Sequence, residues 1–206
     1  MDLSLSPHTA LIVIDMQNGF CHEDGFMSKI GLDWRPGAAA IEPVGRLVGA
    51  ARAGGLPIFF TRYAVNADYS DAGLMTELFP AIPAAKGLIR DSWDADVVDE
   101  LAPAPGDRVI DKTRMSAFHG TDLEAQLREL DIDTVIVCGV TTNMCVEGTV
   151  RDAFTLDIRV VVPSDATAAV TEELHQGALR TFEYGFGPVV TVAELEQAIG
   201  STAQQT

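Results

Sequence analysis

The chain has 206 residues, 47% of them hydrophobic and 21% charged, a length and composition that suit one domain with a substantial core. Its 14 Lys and Arg against 30 Asp and Glu leave a net charge of −16, which argues against nucleic acid and anionic membrane surfaces as partners. The three cysteines, Cys21, Cys138 and Cys145, form no CxxC pair, which argues against a disulfide framework and a structural zinc site.

Strands and helices alternate along the chain. Ala10 to Ile14 reads as a buried strand ending at Asp15. Ile41 to Ala53 carries helical spacing at Val44, Leu47, Val48 and Ala51, and Gly54-Gly55 stops it. Leu56 to Thr61 predicts a second strand, Asp96 to Leu101 a short helix, and Arg108 to Asp111 a third strand after the Pro105-Gly106 turn. Asp122 to Leu130 follows as an amphipathic helix with Leu123, Leu127 and Leu130 on one face. Thr134 to Cys138 is the fourth strand, Asn143 to Leu156 a helix, and Arg159 to Pro163 the fifth strand. Thr171 to Phe182 predicts a helix, Pro188 to Thr191 a sixth strand, and Val192 to Ile199 a closing helix.

Strands that are apolar on both faces and separated by helices predict an α/β fold of three layers, a six-stranded parallel sheet with helices on both faces. We expect a single domain over residues 1–200 and a frayed tail at 201–206. Asn66 to Asp94 is the longest poorly patterned stretch and the natural candidate for a pocket lid or subunit contact. No apolar run is long enough to span a bilayer, and Met1 to Pro7 lacks the marks of a secretory signal, so a cytoplasmic location is expected.

In parallel sheets, functional groups gather beyond the C-terminal strand ends. Three reactive residues stand there: Asp15 after the first strand, Lys112 after the third, and Cys145 beyond the fourth. Cys145 follows the turn Gly139-Val140-Thr141-Thr142-Asn143-Met144 at the predicted start of a helix, where backbone N–H groups and the helix dipole favour a thiolate. A carboxylate can take the thiol proton and return it to a leaving amine, a lysine can favour the thiolate, and a thiolate attacking an acyl carbon gives a thioester that water cleaves. Taken singly, Asp15 also suits a turn cap and Lys112 a solvated charge. The histidines, His8, His22, His119 and His175, are scattered and form no Cys–His–Asp pattern.

Three segments in this order and spacing resemble the isochorismatase-like cysteine hydrolases: Ile12 to Phe20 (IVIDMQNGF), Lys112 to Phe118 (KTRMSAF) and Gly139 to Val146 (GVTTNMCV). Asp165-Ala166-Thr167 is similar to a further family segment. The resemblance covers nearly the whole chain. It implies a six-stranded Rossmann-like core, a catalytic triad of Asp15, Lys112 and Cys145, a cis peptide before Thr141, and an oxyanion hole from the backbone N–H groups of Thr141 and Cys145. Homodimers or homotetramers are common in the family and are expected here.

Within the family, the cysteine favours amide chemistry over the vinyl-ether cleavage of isochorismatases. Nicotinamidase-type metal binding needs histidines after the second strand, and Thr61 to Asp68 has none, so neither metal nor cofactor is expected. Asp91 to Leu101 looks like the corresponding stretch of ureidoacrylate and biuret hydrolases, so the expected activity is hydrolysis of a C–N bond in a small carbamoyl, ureido or amide compound. The alternatives are a vinyl-ether hydrolase, a nicotinamidase-like amidase, or a non-catalytic binding or assembly protein. Phe20, Tyr63, Trp93 and Phe118 suit the walls of a small substrate pocket, or equally the core. Arg62, Arg90 and Arg114 suit a substrate carboxylate, or equally solvated surface.

Overall fold

The computed structural model describes residues 5–203. Its strands are β1 (Thr9–Ile14), β2 (Ile58–Tyr63), β3 (Arg108–Lys112), β4 (Thr134–Val140), β5 (Arg159–Pro163), β6 (Thr167–Ala168) and β7 (Val189–Val190). They pair in the order β3-β2-β1-β4-β5-β7, all parallel, with β6 adding to the end of β4. β1 and β4 are buried along their whole length, as strands must be when helices cover both faces. The sheet is the expected one, with the two-residue β6 as an extra piece.

Five longer helices flank it: α1 (Ile41–Ala53), α2 (Leu123–Glu129), α3 (Glu147–Thr155), α4 (Glu172–Gly185) and α5 (Val192–Ala203). α1 buries Val44, Leu47, Val48 and Ala51, on the order of 1.5–3 kcal/mol for each larger side chain. It ends where Gly55 takes a φ of 71°, a conformation that costs glycine nothing. α5 packs against α1, and α3 against α4.

Several boundaries differ from the expectations, each for a tertiary reason. β2 starts and ends two residues later than its apolar run, because β3 pairs with it as far as Arg62↔Asp111 and Tyr63↔Lys112. Arg62 tolerates the sheet edge by pairing with Asp111 at 2.7 Å. Of the expected helix over Asp96 to Leu101, only a 3₁₀ turn at Asp99–Leu101 forms, and a separate 3₁₀ turn, Trp93–Ala95, precedes the span. Between them the chain is drawn straight against the segment after β1, through Asn18 N–H to Asp96 O at 2.9 Å and Val98 N–H to Met16 O at 3.0 Å. The closing helix runs on to Ala203, with Ser201 and Thr202 hydroxyls bonded four residues back to Gln197 and Ala198, so residues 201–203 are helical. Residues 204–206 lie outside the described residues.

The poorly patterned stretch is an excursion closed at its base. Val65 N–H bonds Leu88 O at 2.9 Å and Arg90 N–H bonds Val65 O at 2.8 Å. Buried Asp94 pins its exit, accepting Phe26 N–H at 2.9 Å and Leu88 N–H at 2.8 Å. Two helical turns, Met75–Leu78 and Ala81–Ala84, lie within it. Among the described residues, no helix is long and apolar enough to cross a membrane.

Candidate active site

β1, β3 and β4 end at one edge of the sheet, so the residues at or just after their ends are neighbours. Asp15 follows β1 with a left-handed φ of 50° and no solvent exposure. Its Oδ1 accepts the Thr61 hydroxyl at 2.7 Å. Its Oδ2 lies 2.6 Å from Lys112 Nζ and has no aligned hydrogen bond, so the ammonium charge is what balances it. Gly139 permits the close approach: a Cβ there would stand 2.1 Å from the Ile14 carbonyl oxygen, and its φ is 106°.

Lys112, the last residue of β3, is 1% exposed. Beyond Asp15, its Nζ donates to the Arg114 carbonyl at 3.0 Å and sits 4.5 Å from the centroid of the Tyr63 ring. Burial works to lower its pKa, but Asp15 and Cys145 outweigh this and hold it above the ordinary lysine value. The ammonium therefore stays charged although it is buried.

Cys145 is 5% exposed, and its thiol lies within range of the charges of Asp15 and Lys112. It sits inside a π-helical turn, Thr142–Val146, that precedes α3, rather than in the first turn of an α-helix. Met144 and Val146 N–H groups close this turn onto the Thr141 carbonyl at 3.0 and 3.2 Å, and the Val140–Thr141 peptide is cis. The expectation of a thiolate at neutral pH is corrected here. Burial pushes the Cys145 thiol up to about 12, Asp15 acts in the same direction, and Lys112 only partly opposes them. Burial therefore favours the thiol over the thiolate at Cys145.

Residues to which the sequence assigned no role hold this arrangement. Gln17 receives Tyr63 N–H at 2.7 Å and donates to Tyr63 O and Ala95 O, locking the end of β2 to β1. Thr149 donates to the Cys145 carbonyl at 2.8 Å and accepts Ala117 N–H at 3.0 Å, tying the turn to the segment after Lys112. Thr142 bridges His175 Nδ1 at 2.9 Å and Thr167 at 3.1 Å, and Thr167 donates to Gly139 O at 2.8 Å. Buried threonines beside the three motifs were the available signal, but threonine is common in strands and says little alone.

The four aromatic residues differ in setting. Tyr63 is buried against Lys112, with its hydroxyl on Thr113 O at 2.9 Å. Phe20 packs edge-on to Phe26 in the core, with centroids 5.0 Å apart. Trp93 is 47% exposed and edge-on to His22, and Phe118 is half-buried against the core. Tyr63 and Arg114 line a cavity of about 880 Å³ whose other walls come mainly from residues 69–79 of the excursion. Arg62 and Arg90 are both engaged by Asp111, at 2.7 and 2.6 Å. Among the described residues, no group of three or more His, Cys, Asp or Glu is placed to hold a metal ion.

Comparison with known proteins agrees with this architecture. The chain is 36% identical over 212 residues to the ureidoacrylate amidohydrolase RutB of Methylobacterium radiotolerans, covering 96% of this chain and 82% of that protein. The crystal structure of a cysteine hydrolase from Pseudomonas syringae pv. phaseolicola superposes with a TM-score of 0.88 at 36% identity, covering 97% of this chain and 96% of that one. N-carbamoylsarcosine amidase from Thermoplasma acidophilum gives a TM-score of 0.74 at 27% identity, over 89% and 96% of the two chains. Residues 9–194 match the isochorismatase domain, and the chain belongs to that family.

Proposed function

We propose that the protein is a cysteine-dependent amidohydrolase that cleaves a C–N bond of a small carbamoyl or ureido compound through a thioester-type intermediate, with Asp15, Lys112 and Cys145 as its catalytic residues. The observation that carries this reading is the wholly buried Asp15–Lys112 pair at 2.6 Å, at the same sheet edge as the turn that holds Cys145 and within charge range of its thiol. The names of the relatives support the substrate class.

The ground-state charges set the roles. Cys145 begins protonated, and Asp15 Oδ2 is the carboxylate oxygen not held by Thr61. As sulfur attacks the carbamoyl carbon, the S–C bond forms and the thiol proton passes to Asp15. Lys112 keeps the developing thiolate and the carboxylate from facing each other uncompensated. The backbone N–H groups of Thr141 and Cys145 are assigned to the oxyanion; one such donor is typically worth about 2.7–4 kcal/mol of barrier. Asp15 returns the proton to the nitrogen as the C–N bond breaks. Water then attacks the thioester carbon, losing a proton to Asp15, which restores it to sulfur. Of the four aromatic residues, Tyr63 is the one assigned to the wall of the acyl site. The reaction uses no metal in this scheme, and the protein acts as a homodimer or homotetramer in the cytoplasm.

The test is ammonia or amine release from a panel of ureido acids, biuret and primary amides by the wild type and by Cys145→Ala. Release by the wild type and loss in the variant is the expected result. Undiminished release by Cys145→Ala would refute the covalent route.

A further inference from the structure

We propose that His175 is a positioning residue for the nucleophile: its Nδ1–H heads a one-way hydrogen-bond chain, through Thr142 and Thr167 to the Gly139 carbonyl, that holds the turn carrying Cys145. Its bearing on catalysis rests on the hydrolase reading of the triad; the chain itself does not. The direction follows from counting protons. A threonine hydroxyl has one proton to give, and a carbonyl oxygen has none. Thr167 gives its proton to Gly139 O at 2.8 Å, so in its 3.1 Å contact with Thr142 it can only accept. Thr142 therefore gives its proton to Thr167 and can only accept from His175 Nδ1, at 2.9 Å. His175 must carry a proton on Nδ1, as the neutral Nδ1–H tautomer and the imidazolium both do.

The chain ties four elements together. His175 stands in the first turns of α4, its N–H bonded to Thr171 O at 3.1 Å. Thr142 opens the π-helical turn, Thr167 lies in β6 and Gly139 in β4. Thr142 is wholly buried and Thr167 is 4% exposed, so water has little access to replace a lost partner. Gly139 makes the close approach to Ile14, next to Asp15, and Thr142 lies three residues before Cys145. One chain thus reaches the strand beside the base and the turn of the nucleophile. An acceptor at position 175 would reverse it: Thr142 would turn its proton toward position 175, Thr167 would turn to Thr142, and Gly139 O would lose its Thr167 donor. A misplacement of reacting groups by about 1 Å can cost about 100-fold in rate.

The experiment reads the His175 ring by ¹⁵N NMR and compares His175→Asn, His175→Asp and His175→Leu. The three new side chains have similar shapes; the first offers an N–H near the place of Nδ1, the second only acceptor oxygens, the third neither. An acidic residue in the first turns of a helix is itself favourable, so His175→Asp should fold. In its neutral form the wild-type ring should carry its proton on Nδ1 and none on Nε2. On a ureido acid, kcat should fall by about 10–100-fold in His175→Asp with KM changed less than about 3-fold, fall less in His175→Leu, which leaves the direction of the chain intact, and least in His175→Asn. Deuterium exchange at the Met144 and Val146 N–H groups, which close the turn, should quicken by about 10-fold in His175→Asp. A neutral ring protonated on Nε2 would overturn the proposal, as would equal kcat in all three variants, whether lost or kept. If the wild type hydrolyses no member of the panel yet the tautomer and the exchange pattern hold, the hydrolase reading fails while the positioning chain stands.

Discussion

At the strand ends, Asp15 and Lys112 are wholly buried, and their charges answer each other within 2.6 Å. In the excursion over residues 66–88, Leu74 and Leu78 are 76% and 69% exposed, and the segment is joined to the sheet edge mainly at its base. The first region permits one arrangement of a few groups, because any buried charge without its partner is costly. The second tolerates variety, because most of its atoms meet water. Chemistry common to the family is expected to reside in the first and substrate choice in the second.

Removing the sulfur should have the largest effect. Cys145→Ala should lower amide hydrolysis by about 10⁴-fold or more, since nucleophile and base act as a unit. Cys138→Ala removes a thiol that is also buried but lies in β4 beside β1, with Sγ 3.7 Å from the Ile12 carbonyl, and activity should survive it. Steady-state kinetics on the two variants would separate a reactive cysteine from a packed one. Comparable losses in both would erase the distinction between the site and the core around it.

Asp15→Asn should lower kcat by about 10²–10⁴-fold through loss of the base. Lys112→Met leaves Asp15 as an uncompensated buried charge and should cost about 3–5 kcal/mol of stability. Combining the two changes should recover part of that loss in urea unfolding, because the double variant buries no lone charge. Strict additivity would mean that the two residues do not form the coupled pair described here.

The thiol should also be visible in the pH dependence of stability. Burial raises Cys145 from 9.0 to about 12, and Cys21 likewise to about 12. Above pH 9 the unfolded chain releases protons that the folded chain keeps. Stability is therefore complete below about pH 9 and declines as pH rises toward 12. Lys112, also raised, adds to the decline at its upper end. Cys145→Ala should flatten the slope by up to about 1.4 kcal/mol per pH unit, measured by urea unfolding from pH 7 to 11. An unchanged slope would place the Cys145 thiol in a more hydrated setting than its burial indicates.

The smallest effect is expected in the excursion. Leu78→Ser should change stability by less than about 0.5 kcal/mol, as surface substitutions do. A larger loss in thermal unfolding would show that this face is covered in solution, and sedimentation of the same variant would identify a contact between copies of the chain.

The contrast between the two regions also governs what the sequence discloses. The parallel sheet and the placement of Asp15, Lys112 and Cys145 were legible because each follows from a local apolar run and its end. The excursion was legible only as a stretch without pattern: its short turns are fixed by contacts such as Asp94 with Leu88, far less regular than a helix face. The straightening of residues 96–98 was hidden because their partners lie some 80 positions earlier, at Met16 and Asn18. The high thiol pKa was hidden for a related reason. Helix-start chemistry is local and favours thiolate, while burial by the whole fold opposes it and prevails. That Arg62 and Arg90 both pair with Asp111 could not be read before the β2–β3 register was known.

The central claim is that Cys145 becomes covalently attached to the carbamoyl carbon during turnover. Rapid acid quenching of the enzyme with a ureido acid, followed by peptide mass spectrometry, tests it most directly. The account predicts a carbamoyl-derived adduct on the peptide containing Cys145, absent from those containing Cys21 and Cys138 and lost in Cys145→Ala. Steady turnover by the wild type with an unmodified Cys145 at every quench time, and retained turnover in Cys145→Ala, would contradict it.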